Sequence, residues 1–197
     1  MTEKEKMLGG LPYKAADATL TSERLLAREL VYKISKLPPS QVAASRQLYI
    51  QLLGSTPEVF HIEAPFRCDY GYNISIGNHF YANFNLTILD CAPVSIGDHV
   101  FIAPNVGIFT AGHPIHYGLR NQEFEFALPI TIGNNVWIGG NVVINPGVSI
   151  GDNTVIGSGA VVTKNIPANV IAAGNPCRVI RAITQADKDY YYKGFVQ

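Results

Sequence analysis

Between Ile130 and Ile166 the chain repeats an aliphatic residue every six positions without a break. Ile132, Ile138, Ile144, Ile150, Ile156 and Val162 form one series; Val136, Val142, Val148, Thr154 and Ala160 form a second at the same period. A helix carries residues six apart about 600° around its axis, nearly to the opposite face, and simple strand alternation has a period of two. Period six calls instead for short strands joined by tight turns, three per coil, with the same position of each hexad inside a triangular prism. Gly followed by Asn or Asp recurs one 18-residue coil apart, at Gly133-Asn134 and Gly151-Asp152, and these residues turn sharply at low cost. A β-sandwich rich in Val and Ile would punctuate every ~8–12 residues instead.

The same pattern begins earlier. Ile74, Phe80 and Leu86 make one series, Ile76, Ala82, Ile88 and Val94 another, and Ile96, Ile102 and Ile108 with Val100 and Val106 continue it. Gly77-Asn78 and Gly97-Asp98 lie 20 residues apart rather than 18, which places two extra residues around Asp90-Cys91-Ala92-Pro93 as a bulge. At Thr110 the hexads stop, and residues 111–129, AGHPIHYGLRNQEFEFALP, form a long extruded loop of the kind that usually carries function. Its Phe124, Phe126 and Leu128 make an apolar patch that asks for a partner.

Residues 1–57 lack hexads and read as a helical segment. Thr21 or Ser22 caps a helix to about Lys36 with Leu25, Leu26, Leu30, Val31 and Ile34 on one side; Ser40 caps a second with Val42, Tyr49, Leu52 and Leu53 as its stripe. These helices are expected to cover an end or side of the prism, where strand edges would otherwise be unpaired. Residues 58–183 make the prism, ending in one last strand over AAGNPCRVIRAI, and 184–197 make a short helical tail with Tyr190, Tyr191 and Tyr192 on the prism.

Lys plus Arg and Asp plus Glu number 15 each, so no net field favours nucleic acid or an anionic membrane. Cys68, Cys91 and Cys177 are odd in number and lack C-x-x-C spacing, which points to buried thiols rather than a disulfide framework or zinc ribbon. The charged N-terminus and the lack of a long apolar run predict a cytoplasmic protein.

The hexads, YANFNLTILD (81–90), TAGHP (110–114), NNVWIGGNVVINPGVSIGDN (134–153), AVVTKNIP (160–167) and AAGNPCRVIR (172–181) together resemble the galactoside and maltose O-acetyltransferases. The opening residues 2–20 are similar to the maltose branch. The resemblance implies a left-handed parallel β-helix, a homotrimer with active sites between neighbouring prisms, and transfer of acetyl from acetyl-CoA to a sugar hydroxyl. The handedness comes from the resemblance alone, since spacing does not fix it and right-handed crossovers are the general rule.

Removing a proton from an attacking hydroxyl suits a His at neutral pH, and His113 in TAGHP matches the family's catalytic His. His61, His79 and His99 read as structural. His116 reads as a loop or substrate contact, without a third ligand to make a metal site. For the acceptor, Asn83 matches a substrate-binding Asn, Asp69 falls where the family places a polar contact, Asn85 assists, and Asp17 reaches in from the N-terminal arm as acids there do in the family. Prism corners are the alternative place for the Asn residues. Galactoside members carry two consecutive acids where this chain has Asp90-Cys91, which leaves the sugar preference open.

For acetyl-CoA, the resemblance assigns Gly140 to the thioester arm, where a missing side chain allows close backbone approach. It assigns Ser158, Thr163, Lys164, Arg178 and Arg181 to the rest of the cofactor, cations suiting its phosphates. Trp137 flanks the same channel or packs as a surface ring. No metal is expected. Two rivals stand beside this reading: an acetyltransferase acting on an amine, and a metal-binding trimeric scaffold such as the γ-type carbonic anhydrases, whose histidine pattern these five His residues do not repeat.

Overall fold

The I-G-N/D signature has a direct physical cause in the computed structural model, which describes residues 1–192, 195 and 196. At one corner of three successive coils the Asn or Asp side chain accepts a backbone N–H from the coil beside it: Asp98 Oδ1 from Asn78 at 2.7 Å, Asn134 Oδ1 from Asp98 at 2.9 Å, Asp152 Oδ1 from Asn134 at 2.6 Å. The preceding Gly makes room for that side chain, since a Cβ on Gly97 would lie 2.5 Å from Asn134 Oδ1. Two positions on, His79, His99, Asn135, Asn153 and Asn169 all take left-handed φ of 55–61°. The His79 and His99 rings stack at 4.6 Å in that column, as the structural reading of these two residues expects.

Three parallel sheets close the prism. The first face stacks Phe60–Ile62, Phe80–Ala82, Phe101–Ile102, Trp137–Ile138, Val155–Ile156 and Val170–Ala173; the second stacks Phe66–Cys68, Leu86–Leu89, Gly107–Phe109, Val143–Ile144 and Val161–Val162. The third stacks Ile74–Ile76, Val94–Ile96, Ile130–Ile132 and Ser149–Ile150. All eleven residues of the two 130–166 series are buried, including Thr154, whose hydroxyl donates to Pro167 O at 3.0 Å.

The two extra residues recur. Ile74 pairs with Val94 and Ile76 with Ile96, an offset of 20, so Val94 continues the Ile74 column rather than that of Ile76. Phe60 pairs with Phe80 at the same offset. The excess lies at Asp69–Asn73 in the first coil and at Asp90–Pro93 in the second, and the excursion after Thr110 leaves from the corresponding point of the third. All three enlarge the edge between the second and third faces. The sequence shows only one of the two small bulges, because the first precedes any complete hexad.

That excursion is not a bare loop. Ala111–Gly112 and Phe124–Ala127 pair antiparallel, and Tyr13–Lys14 adds a third strand, so the N-terminal arm is not purely helical. The tip holds a single turn, α4 (Tyr117–Arg120), capped by His116, whose Nδ1 accepts from Gly118 N at 3.1 Å. Phe124 and Phe126 are half-buried within this small sheet, leaving Leu128 exposed. The apolar patch expected there is mostly covered by the chain itself.

Helices α1 (Glu3–Leu8), α2 (Ala18–Ser35) and α3 (Val42–Leu52) precede the prism. The cap of α2 is Asp17, not Thr21 or Ser22, its Oδ1 accepting from Thr19 and Leu20 N. Starting there, the helix buries Leu20, Ala27, Val31 and Ile34, and turns Leu25 and Leu26 outward, 58% and 66% exposed. For α3 the cap is Gln41 with no side-chain bond, and Val42 is exposed, while Tyr49, Leu52 and Leu53 join Phe60 and Phe66 in the core. Helices α2 and α3 cover the open end of the prism, as edge protection requires, whereas α1 packs with Tyr13 and Ala127 beside it. At the other end AAGNPCRVIRAI makes two strands, with Arg178–Ala182 folding back antiparallel on Val170–Ala173. Among the described residues of the tail only α5 (Ala186–Asp189) is helical, and Tyr190–Tyr192 pairs with Phe195–Val196. The side chains of Tyr190, Tyr191 and Tyr192, expected on the prism, lie outside the described residues.

Asp90 staples the enlarged edge. Fully buried, it accepts from Asp69 N at 3.0 Å, Tyr70 N at 2.8 Å and Asn73 N at 3.4 Å, while Asn73 Nδ2 donates to Asp90 O at 2.7 Å. Burial pushes the Asp90 carboxyl up to about 6, against the backbone donors that pull it down. A raised carboxyl pKa means that the folded chain holds the proton more tightly than the unfolded one. Its stability contribution is then full below about pH 4 and is lost as pH rises through the folded value. The melting temperature of the wild type minus that of Asp90→Asn should therefore fall by a few degrees as pH is raised from about 4 to about 7. Calorimetry across that range checks it; a difference independent of pH would contradict it.

Candidate active site

The enlarged edge presents His113 at the base of the three-stranded excursion, with the imidazole half exposed. Its Nδ1 lies 3.4 Å from Phe124 O and its Nε2 lies 3.8 Å from Glu125 Oε1. A carbonyl oxygen only accepts, so the Nδ1 partner favours a proton on Nδ1 and a lone pair on Nε2. Glu125 Oε2 in turn accepts from the hydroxyl of Tyr13 at 2.7 Å. Tyr13 is fully buried beside Met7, Leu20, Tyr70, Cys91, Ala92 and Ala127, a second apolar cluster separate from the prism core.

Asp69 stands on the same edge. Cys91 Sγ donates to its Oδ2 at 3.5 Å, and its other oxygen has no hydrogen bond within the described residues. Burial raises the Asp69 carboxyl, opposed by Cys91 and by the guanidinium groups of Arg24 and Arg28. Burial also pushes the Cys91 thiol up, so it is a hydrogen-bond donor here rather than a thiolate nucleophile. Arg24 anchors the arm, with Nη1 to Tyr70 OH and Nη2 to Ala15 O, both at 2.7 Å. Asp17 spends one carboxylate oxygen on the α2 cap.

Four of the other expected residues divide from these by edge. Asn83, Asn85, Gly140 and Ser158 follow first-face strands and turn into the second face. Asn83 Oδ1 accepts from Phe84 N at 2.9 Å, and its amide N–H groups have no partner among the described residues. Asn85 is a corner residue, with φ of 61° and Nδ2 bonded to Asn105 Oδ1 at 2.9 Å. A Cβ on Gly139 would lie 2.6 Å from Ser158 N, whereas one on Gly140 would meet only Pro104 O at 3.4 Å. Gly139 is required by packing, but no described residue crowds Gly140. The open space over Gly140 and the exposed Ser158 beside it suit an extended ligand.

Thr163 and Lys164 are exposed where the second face turns toward the third, and Trp137 is 55% exposed on the outside of the first face. The C-terminal arginines are less free than their motif suggests. Arg178 Nη1 donates to Cys177 O at 2.9 Å, and Arg181 makes a two-point pair with Asp187 at 2.6 and 2.8 Å. No hydrogen bond or ion pair among the described residues joins the His113 set to the Asn83–Gly140 set. No group of three His, Cys, Asp or Glu among them is placed to hold a metal ion. Glu125 and Tyr13 escape the sequence reading because they meet only through strand pairing 112 residues apart.

Comparison with known proteins agrees with this fold. The bacterial transferase hexapeptide family (six repeats) matches residues 129–164, and the maltose acetyltransferase hexapeptide capping motif matches residues 6–57. Galactoside O-acetyltransferase of Escherichia coli (strain K12) is 49% identical over 99% of this chain and 96% of its own length. A crystal structure of a maltose O-acetyltransferase from Clostridium difficile 630 superposes with a TM-score of 0.93 at 49% identity, over 94% of this chain and 99% of that one. A galactoside acetyltransferase in complex with coenzyme A does so with a TM-score of 0.97 at 48% identity, over 100% and 98%. The chain belongs to the hexapeptide-repeat galactoside and maltose O-acetyltransferase family.

Proposed function

We propose that this enzyme moves the acetyl group of acetyl-CoA to a hydroxyl of a sugar acceptor of the galactoside, maltose or glucose type, with His113 as general base. The observation that carries the reading is the 3.4 Å approach of His113 Nδ1 to Phe124 O, which favours the tautomer with Nε2 as the proton acceptor at an exposed edge. The acceptor hydroxyl gives its proton to Nε2 as its oxygen bonds to the thioester carbon. Glu125, 3.8 Å away, favours the imidazolium so formed. Collapse of the tetrahedral intermediate breaks the carbon–sulfur bond, and the imidazolium returns the proton to the departing thiolate. The free oxygen of Asp69 and the free amide of Asn83 hold sugar hydroxyls. Gly140 admits the thioester arm, and Ser158, Thr163, Lys164, Arg178 and Arg181 contact the remainder of the cofactor.

His113 and Asp69 occupy one edge of the prism, and Asn83, Gly140 and Ser158 occupy another. With roughly six residues of about 3.3 Å between edges, neither set completes a site alone. A homotrimer in which the base edge of one copy faces the Gly140 edge of the next unites them, as closed rings of identical subunits allow. The outward first-face residues Phe101 and Trp137, each about half exposed, fit that contact. No described helix is long and apolar enough to cross a membrane, and we place the trimer in the cytoplasm.

Replacing His113 by Ala should lower kcat for sugar acetylation by about 10²–10⁴-fold with little change in either KM. Steady-state kinetics on folded protein decide it, and a variant within a few-fold of wild type would move the base elsewhere. Gly140→Ala, by contrast, should raise the KM for acetyl-CoA about ten-fold while leaving the melting temperature unchanged, because the new methyl intrudes on the cofactor and not on the chain. Loss of stability in that variant would instead give Gly140 a packing role.

A further inference from the structure

Glu125 and His113 stand close without touching. Their 3.8 Å separation exceeds a hydrogen bond, although both side chains reach toward the same space. A carboxylate largely removed from water closes on the nearest cationic donor unless something else holds it. What holds it is the hydroxyl of Tyr13, which donates to Oε2 at 2.7 Å from a fully buried ring. That ring cannot follow the carboxylate, since it is packed among Met7, Leu20, Tyr70 and Ala127 and its backbone pairs with Glu125 across the small sheet.

We infer that Tyr13 is a positioning residue that restrains Glu125 from closing to a hydrogen-bonded ion pair with His113, and so keeps Nε2 free for the acceptor hydroxyl at neutral pH. This rests on the reading of His113 as the base. The restraint keeps the carboxylate 3.8 Å from Nε2, within reach of the imidazolium as it forms but not hydrogen-bonded to the lone pair's nitrogen. An enzyme whose base were locked in an ion pair would lose its proton acceptor over the physiological range.

The charged and titratable groups around this pair are Tyr13 and Lys14 on the arm strand, Asp69 and Cys91 on the prism edge, and Arg24 on α2. Lys14 Nζ sits over the Phe124 ring at 5.5 Å, Arg24 is bonded to Tyr70 OH, and Asp69 accepts from Cys91. None of these hydrogen-bonds Glu125 in place of Tyr13. Burial raises the Tyr13 hydroxyl far above its ordinary value, so it stays a donor throughout the working pH range.

The test is Tyr13→Phe, which removes one hydroxyl and keeps the ring. Freed, Glu125 pairs with the imidazolium. The acid limb of the kcat/KM profile should move up by about one pH unit, and the rate should be lowered about ten-fold near neutrality and recover at higher pH. The shift should vanish in Tyr13→Phe/Glu125→Gln. NMR titration of labelled His113 should show the same upward movement of the imidazole without relying on activity. A uniform loss at every pH, or a limb and imidazole titration that stay put or move down, would overturn the inference and leave Tyr13 a packing residue. If His113→Ala still acetylates sugar, the base assignment falls, while the imidazole titration still decides whether Tyr13 restrains Glu125.

Discussion

Everything in this molecule depends on stacking like on like along the prism axis. Ile132 stands over Ile150, Ile138 over Ile156 and Ile144 over Val162, each in parallel register and each excluded from water. Every buried aliphatic side chain contributes roughly 1.5–3 kcal/mol relative to exposure, but the register does more than stabilise. A slip of one residue would turn the whole interior outward, so the corners of successive coils are forced into columns. Edges thereby become continuous surfaces on which residues distant in sequence are neighbours.

One of those columns departs from the hexad rule, and there the candidate chemistry collects. The two-residue excess at Asp69–Asn73 and Asp90–Pro93, followed by the long excursion after Thr110, widens a single edge through three coils. Below them Ile144 to Ile150 returns to six residues and the edge is plain. The widened part needs its own supports: the buried Asp90 carboxylate, the Thr110 hydroxyl bridging Ala92 N and Leu89 O, and the arm strand bearing Tyr13. Departures from local regularity that carry their own compensating bonds are characteristic of functional sites.

How much of this was legible beforehand follows from range. The prism was readable because period six is local, and the IG(N/D) corner was readable because its hydrogen bond repeats once per coil. The helix stripes were misread at Leu25, Leu26 and Val42, since several phases of an apolar-rich helix look alike until the partner surface is known. His113 is singled out by its motif at the start of the loop, and the structure places it on the widened edge. Glu125 and Tyr13 were not legible, because nothing in FEF or in an isolated Tyr signals a pairing across the length of the chain. The split of Asn83 and Gly140 from His113 across two edges also needed the registers, since a list of matching residues carries no positions.

That split makes the central claim directly testable. Subunits carrying His113→Ala and subunits carrying Gly140→Leu, each inactive as pure assemblies, can be mixed, dissociated and reassembled. If each site takes its base from one copy and its cofactor edge from the next, about one quarter of the sites in a random ring of equal parts are intact. The mixture should then recover activity in about that proportion, measured against wild type taken through the same cycle. No recovery, with the wild type fully restored, would mean that both residues serve one site within a single chain.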